Sequence, residues 1–421
     1  MLKKRFGITF GVILLITWLT WPVYQFYAHK GDVPFTPWGW TEIPNQAPKS
    51  QIVNSPIYDG VAKSSLDLLD KHREKINAPG ISAAVSIGGK IVWVGTAGWA
   101  DLSKDEPVTS KTLFRVGSTS KAITATGLAR LIDTKKIDLE KPISQYHRSL
   151  PNASWRNIKV KHLASHSSGL THYKQFEDKR GLYKSITLNT YYNDVNDALG
   201  LFDGTKLMFD PGSQFSYSSY GTVLLSAVMQ EAAQLPFLEL MQQQVFTPLN
   251  LLDIGAEGQF LDNGTLAKFY WNDGGKSPRV REWRDVDLSH RLAGGGFVAT
   301  STALVKLGNS YFDDQFISRP TKRLLWTPQL LSNGEVNPQN YAIGWRVSEL
   351  NRKGRSIKFM HHGGVSRGAQ SLLIVIPEYK FSIAININAK TQEFHTFSTI
   401  WKALALTFID TYEQANADLG S

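Results

Sequence analysis

The sequence contains no cysteine. Structural disulfides, thiolate zinc sites and a cysteine nucleophile are therefore excluded, while oxidising and reducing compartments both stay open. Clustered basic charge is also missing. The 46 Lys and Arg against 36 Asp and Glu leave a net charge of +10, but only Lys3-Lys4-Arg5 forms a run, and the rest scatter in pairs such as Lys135-Lys136. A nucleic-acid groove gathers such residues among aromatics. No nucleic-acid partner is expected, and the charge reads as a mildly basic surface. Repeats and low-complexity tracts are absent too, and 34 Gly and 18 Pro in 421 residues are ordinary usage for a folded chain. With 42% apolar residues the chain is long enough for one large core or two smaller lobes.

Charge is absent from Phe6 to Tyr27, directly after the basic triplet. A helix of that length crosses a hydrocarbon layer of roughly 30 Å. Trp18, Trp21, Tyr24 and Tyr27 gather at its far end, as aromatics do at a membrane–water interface. The basic side predicts a cytoplasmic start and an exported body, on the periplasmic face of a bacterial inner membrane. The competing reading is a cleaved signal peptide with a secreted periplasmic body. It is disfavoured because Phe26-Tyr27-Ala28 puts Phe where a small residue is needed.

Residues 1–30 are thus expected as an anchor and 31–58, rich in Pro and Trp, as a linker. Gly60 to Ile76 has helical spacing and is stopped by Pro79-Gly80. Ile81–Ile87 and Lys90–Ala97 flank Gly88-Gly89 as a hairpin. A helix follows Gly117, with Ala122, Ala125, Leu128, Ala129 and Ile132 on one face, and Gly221–Ala233 is another. Strand patterns return at Ile343–Val347, Ile357–Met360, Ser371–Ile376 and Phe381–Ile387. An amphipathic helix from Phe394 to Phe408 closes the pattern. The layout predicts an α+β fold: one antiparallel sheet built from both termini, flanked by helices, with a helical lobe inserted at roughly 125–300. The domain spans 59–412, with a tail at 413–421.

Ser118-Thr119-Ser120-Lys121 is the only Ser-x-x-Lys in the chain. A three-residue helical spacing puts both side chains on one face. Unpaired N–H groups and the dipole at a helix start favour negative charge on the serine oxygen, and a desolvated lysine can take its proton. Alone, the same four residues also describe an N-cap serine beside a solvated lysine, so context must decide.

That context is a series of ordered blocks. Phe114-Arg115-Val116-Gly117 leads into the motif. His162-Leu163-Ala164-Ser165-His166-Ser167-Ser168-Gly169-Leu170, Pro211-Gly212-Ser213-Gln214-Phe215-Ser216-Tyr217-Ser218 and Ala293-Gly294-Gly295-Gly296-Phe297 follow. Tyr341-Ala342-Ile343-Gly344-Trp345 and His362-Gly363-Gly364 complete the set, with Gly368 beyond. In this order the chain resembles the serine β-lactamase and penicillin-binding-protein superfamily, class C-like branch, from about Asp59 to Ala389. Within it the chain is most similar to the group of the mitochondrial serine β-lactamase-like protein and its bacterial relatives, notably over Ser165–Lys174, Phe209–Leu225, Ala293–Gly308 and His362–Pro377.

The resemblance implies acyl-enzyme chemistry on peptide, amide or ester substrates, with no cofactor. Ser118 would be the nucleophile and Lys121 its base. Tyr217 would shuttle a proton as a phenolate held by Lys121, and His362 would orient a substrate carboxylate or tune the network. The N–H groups of Ser118 and Val365 would form the oxyanion hole, with Gly364 and Ser219 also facing substrate. His361 is the alternative register for His362, and is set aside because His362 also places Gly368 without a gap. Two departures stand out: Ser219 where the second motif ends in Asn, and His362 where lactamases carry Lys. They rank peptidase or esterase action above D-Ala-D-Ala carboxypeptidase, and both above β-lactamase. A non-catalytic sensor or scaffold is the reading from another class, and filament assembly in the mitochondrial relative leaves self-association open. His162 and His166 lack the Glu and third ligand of a zinc site. Gly294–Gly296 lacks the Lys-Ser/Thr of a phosphate loop, and reads instead as close backbone packing.

Overall fold

The structure, a computed structural model, describes residues 2–173, 179–261 and 264–420. Lys174, the end of one resemblance block, lies outside them. The helix α1 (Leu2–Lys30) is followed by β1 (Lys49–Val53), α2 (Asp59–Lys75), β2 (Gly80–Ile87), β3 (Lys90–Asp101) and α3 (Ser120–Asp133). Next come α4 (Lys179–Thr187), α5 (Ser219–Ala233) and α6 (Ser301–Asn309). The chain returns through β4 (Arg346–Arg352), β5 (Arg355–Ser366), β6 (Ala369–Ile376), β7 (Phe381–Ile387) and α7 (Ile400–Gly420). The central sheet runs β4-β5-β6-β7-β2-β3-β1, antiparallel throughout. Strands from the two ends of the domain meet at β7 and β2, where Ile385 pairs with Ala83. This is the expected α+β arrangement.

Strand periodicity divides the core. Ile81, Ala83, Val85 and Ile87 share one cluster with Leu372, Ile374, Ile376, Ile383, Ile385 and Ile387, and this face is covered by α2 and α7. Ala84, Leu373, Val375 and Ala384 point to the other face and join α3, α5 and the helical lobe. Because both faces are covered, β2, β6 and β7 are buried along their whole length, which is why they read as continuous apolar runs. Ser301 Oγ donates to Ser82 O at 3.1 Å, and Gly308 leaves no room for a side chain against Ser382. These contacts set α6 flush on the sheet.

Four segments differ from expectation. The 31–58 stretch is not merely a linker: Lys49–Val53 pairs with Trp93–Ala97 as the sheet edge. Ile343–Val347 does not start a strand, because Gly344 at φ +73° turns the chain and Ala342 N–H donates to Trp345 O at 2.8 Å. The single closing helix is two, Phe394–Ser398 and Ile400–Gly420, and the second carries through the expected tail at 413–421. There Glu413 is held by Arg352 of β4 at 2.6 Å.

Helix α1 contains a segment, Arg5–Lys30, long and apolar enough to cross a membrane. Such a helix fits either an anchor or a signal sequence.

Phe408 of α7 is fully buried, 5.5 Å from the ring of Trp93 and 5.6 Å from Tyr58. Phe408→Ala is expected to destabilise the domain by about 3–5 kcal/mol, read by denaturant unfolding. A change below about 1 kcal/mol would contradict the packing of α7 as part of the core.

Candidate active site

The head of α3 is built by glycines. Gly117 has φ +50°, and a Cβ there would lie 2.7 Å from the Val365 nitrogen. A Cβ on Gly364 would fall 1.9 Å from Val116 O and 2.9 Å from the Ser118 nitrogen. Backbone therefore meets backbone between β5 and the turn at Gly117–Thr119, a tight helical turn feeding α3. From Thr112 to Ala129 every residue is buried except Ser118, which is half-exposed. Thr119 Oγ1 donates to His362 O at 3.3 Å, and Thr124 Oγ1 to Ala293 O at 2.8 Å, fixing the turn between β5 and the glycine-rich segment.

Lys121 is 2% exposed. Its Nζ lies 2.6 Å from Gly294 O, 3.0 Å from Ser219 Oγ and 3.4 Å from Ser118 Oγ. Burial, then the nearby charges of Arg346 and Arg291, hold its pKa well below the usual lysine range. A neutral amine has two hydrogens and one lone pair. The carbonyl and Ser219 can take the hydrogens, which leaves the lone pair for the Ser118 hydroxyl.

Ser219 is 1% exposed, and its N–H donates to His172 Nδ1 at 3.1 Å. It therefore sits beneath Lys121 and does not line the substrate surface as expected, because a short hydroxyl reaches only its nearest neighbour. Gly364 is likewise buried against Val116 and admits close approach rather than meeting solvent.

Tyr217 stands in the extended segment before α5. Ser218 caps that helix, accepting from Gly221 N–H at 3.0 Å and donating to Thr171 O at 2.7 Å. The phenol neighbours Ser118 and Arg346. Burial pushes its pKa up, while Arg346 and Ser118 oppose the rise. Lys121 faces the tyrosine ring, 4.9 Å from its centroid. The guanidinium of Arg346 lies 5.3 Å from the ring of Tyr217 and 5.2 Å from that of Tyr341.

His362 is fully buried. Its Nδ1–H donates to Gly363 O at 2.8 Å, and its Nε2 accepts from the Tyr341 hydroxyl at 2.9 Å. Burial, with Arg346 and Lys121 nearby, holds its pKa well below the usual value. Both ring nitrogens are engaged within the protein, in an arrangement that suits tuning the network more than gripping a substrate carboxylate. His361 faces away and bonds Ser348 Oγ at 3.0 Å. His166, at φ +63°, accepts from Ser218 N–H at 3.3 Å, and its ring is 4.2 Å from Tyr217.

Val365 is 42% exposed on β5. Strand β4 stops at Arg346, opposite His361, so the edge from His362 to Ser366 has no β4 residue beside it. Ser366 pairs with Ala369 across a two-residue turn, which directs the Val365 amide away from β6. Its nitrogen lies beside Gly117, 2.7 Å from where a Cβ would stand.

Sequence reasoning missed Arg346, Tyr341, His166 and the Gly294 carbonyl. Tyr341 and His166 stood inside quoted blocks, and Arg346 directly follows one. Gly294 acts through its backbone, which leaves no side-chain signature.

Comparison with known proteins places this arrangement. The mitochondrial serine beta-lactamase-like protein LACTB of Mus musculus is 28% identical over 412 residues, covering 77% of this chain and 74% of that one. Penicillin-binding protein 4* of Bacillus subtilis (strain 168) is 24% identical, over 75% and 69% of the two chains. Among solved structures, the D-amino acid amidase of Ochrobactrum anthropi SV3 superimposes with a TM-score of 0.67 at 20% identity, over 85% of this chain and all of that one. The beta-lactamase family profile matches residues 67–406. The chain belongs to the beta-lactamase family, a family of serine hydrolases.

Proposed function

We propose that this protein is a serine hydrolase that forms an acyl-enzyme at Ser118 on peptide, amide or ester substrates, with its domain exported on the anchor α1. The observation that carries the reading is the buried Lys121 amine, held by Gly294 O and Ser219 beside the half-exposed Ser118 hydroxyl.

In the first step Ser118 Oγ bonds to the substrate carbonyl carbon and its proton passes to Lys121 Nζ. The carbonyl oxygen takes the negative charge against the N–H groups of Ser118 and Val365. The C–N or C–O bond then breaks, and the leaving group takes the proton from Lys121 through Tyr217, whose phenol neighbours Ser118 and Arg346. Water, activated by the same groups, releases the acyl chain and restores Ser118. A substrate carboxylate, as in a D-Ala-D-Ala peptide or a β-lactam, would meet Arg346 rather than neutral His362. Ser219 and His362 stand where lactamases carry Asn and Lys, and peptidase or esterase action is ranked first on that ground. A sensor or scaffold without turnover is disfavoured because nucleophile, amine and phenol are all present and in reach of one another.

A fluorophosphonate probe is expected to label the protein at Ser118, and Ser118→Ala to abolish the label. Lys121→Met should slow labelling by about a hundred- to ten-thousandfold. Labelling that persists in Ser118→Ala overturns the assignment. The pH dependence has a definite sign. Lys121 must be unprotonated to act, so acylation rises as pH rises through its depressed pKa. Arg346 lowers the pKa values of both Lys121 and Tyr217. Arg346→Gln is therefore expected to move the acidic limb of the acylation profile to higher pH, with Arg346→Lys partly restoring it. A limb that stays in place contradicts an electrostatic role for Arg346.

A further inference from the structure

From Arg5 to Trp21 every residue of α1 is exposed, and from Pro22 onward the helix packs on the body, with Phe26 and Ala28 only 7% and 1% exposed. The exposed stretch is about 25 Å long, close to the roughly 30 Å of a hydrocarbon core. With α1 taken as the anchor proposed above, the body surface around Trp21 stands at the depth of lipid headgroups. Exposed Trp38 lies at the same level, as interfacial tryptophans do.

A cavity of about 330 Å³ opens there, lined by Trp21, Gln25, Trp38, Lys268, Arg281 and Arg284 among others. Arg281 is 9% exposed. Its guanidinium stacks 4.3 Å from Trp271 and 5.0 Å from Phe35, and one nitrogen bonds Thr36. Its Nη2 is buried without a partner, as is Nε of Arg284. The other Arg284 nitrogens reach the carbonyls of Asp285 and Ile186, each at 3.2 Å. Two acids share the lining. Glu282 is taken by Lys268 at 3.0 Å, and Asp285 is exposed to water. Gln25, also in the lining, has a buried Oε1 acceptor without a partner. Unmade hydrogen bonds on buried polar atoms are costly, more so on charged groups. Two orphan cationic donors and an orphan acceptor, on residues lining one cavity, match a ligand with an anionic oxygen and a hydroxyl.

We propose that this cavity binds the headgroup of an anionic phospholipid, a phosphodiester bearing a hydroxyl group, drawn from the bilayer that α1 enters. Arg281 and Arg284 take the phosphate, Gln25 the hydroxyl, and Trp21 and Trp38 flank the glycerol. The bound lipid fixes the body against the membrane surface independently of any chemistry at Ser118.

Native mass spectrometry of the full chain in detergent, with phosphatidylglycerol or phosphatidylcholine added, tests this. One phosphatidylglycerol per chain is expected to be retained and phosphatidylcholine not. Arg284→Gln should lower that occupancy about fivefold, from the roughly 1 kcal/mol that one cationic residue contributes at a lipid surface. Trp38→Ser, at an exposed position where folding is not at stake, should lower it too. Thermal melting of both variants should match the parent. Equal retention of the two lipids, or unchanged occupancy in both variants, overturns the proposal. Displacement of the lipid by millimolar inorganic phosphate would assign the site to a soluble phosphate and overturn the lipid source.

Discussion

The proposed catalytic arrangement depends on keeping one lysine dry. Lys121 projects from a helix that packs against the sheet on one side and the helical lobe on the other, so its amine emerges where water does not reach. Two fixed acceptors, a backbone carbonyl and a serine hydroxyl, orient it. Burial alone disfavours its charged form, and two neighbouring guanidinium groups add to the effect. The same amine in bulk water would be an inert cation. The inserted lobe is what makes the difference, because its glycine-rich turn and the start of α5 close the space around Nζ.

The close contact of β5 with the head of α3 is the second constraint. Gly117 and Gly364 let two backbones meet, which brings the Ser118 and Val365 amides to one place. Amides held by a sheet need no reorganisation when charge develops beside them. Arg346, at the start of the neighbouring strand, then supplies the positive charge that neutral His362 does not. The second-motif serine and the third-motif histidine, which first read as losses, are both occupied: Ser219 with Lys121, and His362 with Tyr341.

Much of this was legible in the residues. The strands β2, β6 and β7 carry mostly apolar residues because both their faces are covered, and Phe381–Ile387 has the limits its pattern suggests. The Ser-x-x-Lys spacing places Ser118 and Lys121 together because three residues along a helix is nearly one turn. Other features needed the fold. Lys49–Val53 is polar and exposed on one side, so an edge strand looked like a linker. Arg346 gains its meaning from register, since only the pairing with His361 sets it beside Tyr217. The role of Ser219 depends on what lies above it, and a sequence does not say which side of a helix start is covered.

The central claim is that burial holds the Lys121 amine well below the usual lysine range, and lysine-selective carbon-13 labelling followed by NMR titration tests it directly. The account predicts one lysine resonance, absent in a Lys121→Arg variant, that titrates well below the others. Should that resonance titrate with the surface lysines near pH 10.5, the amine would be an ordinary ammonium and the account would fail.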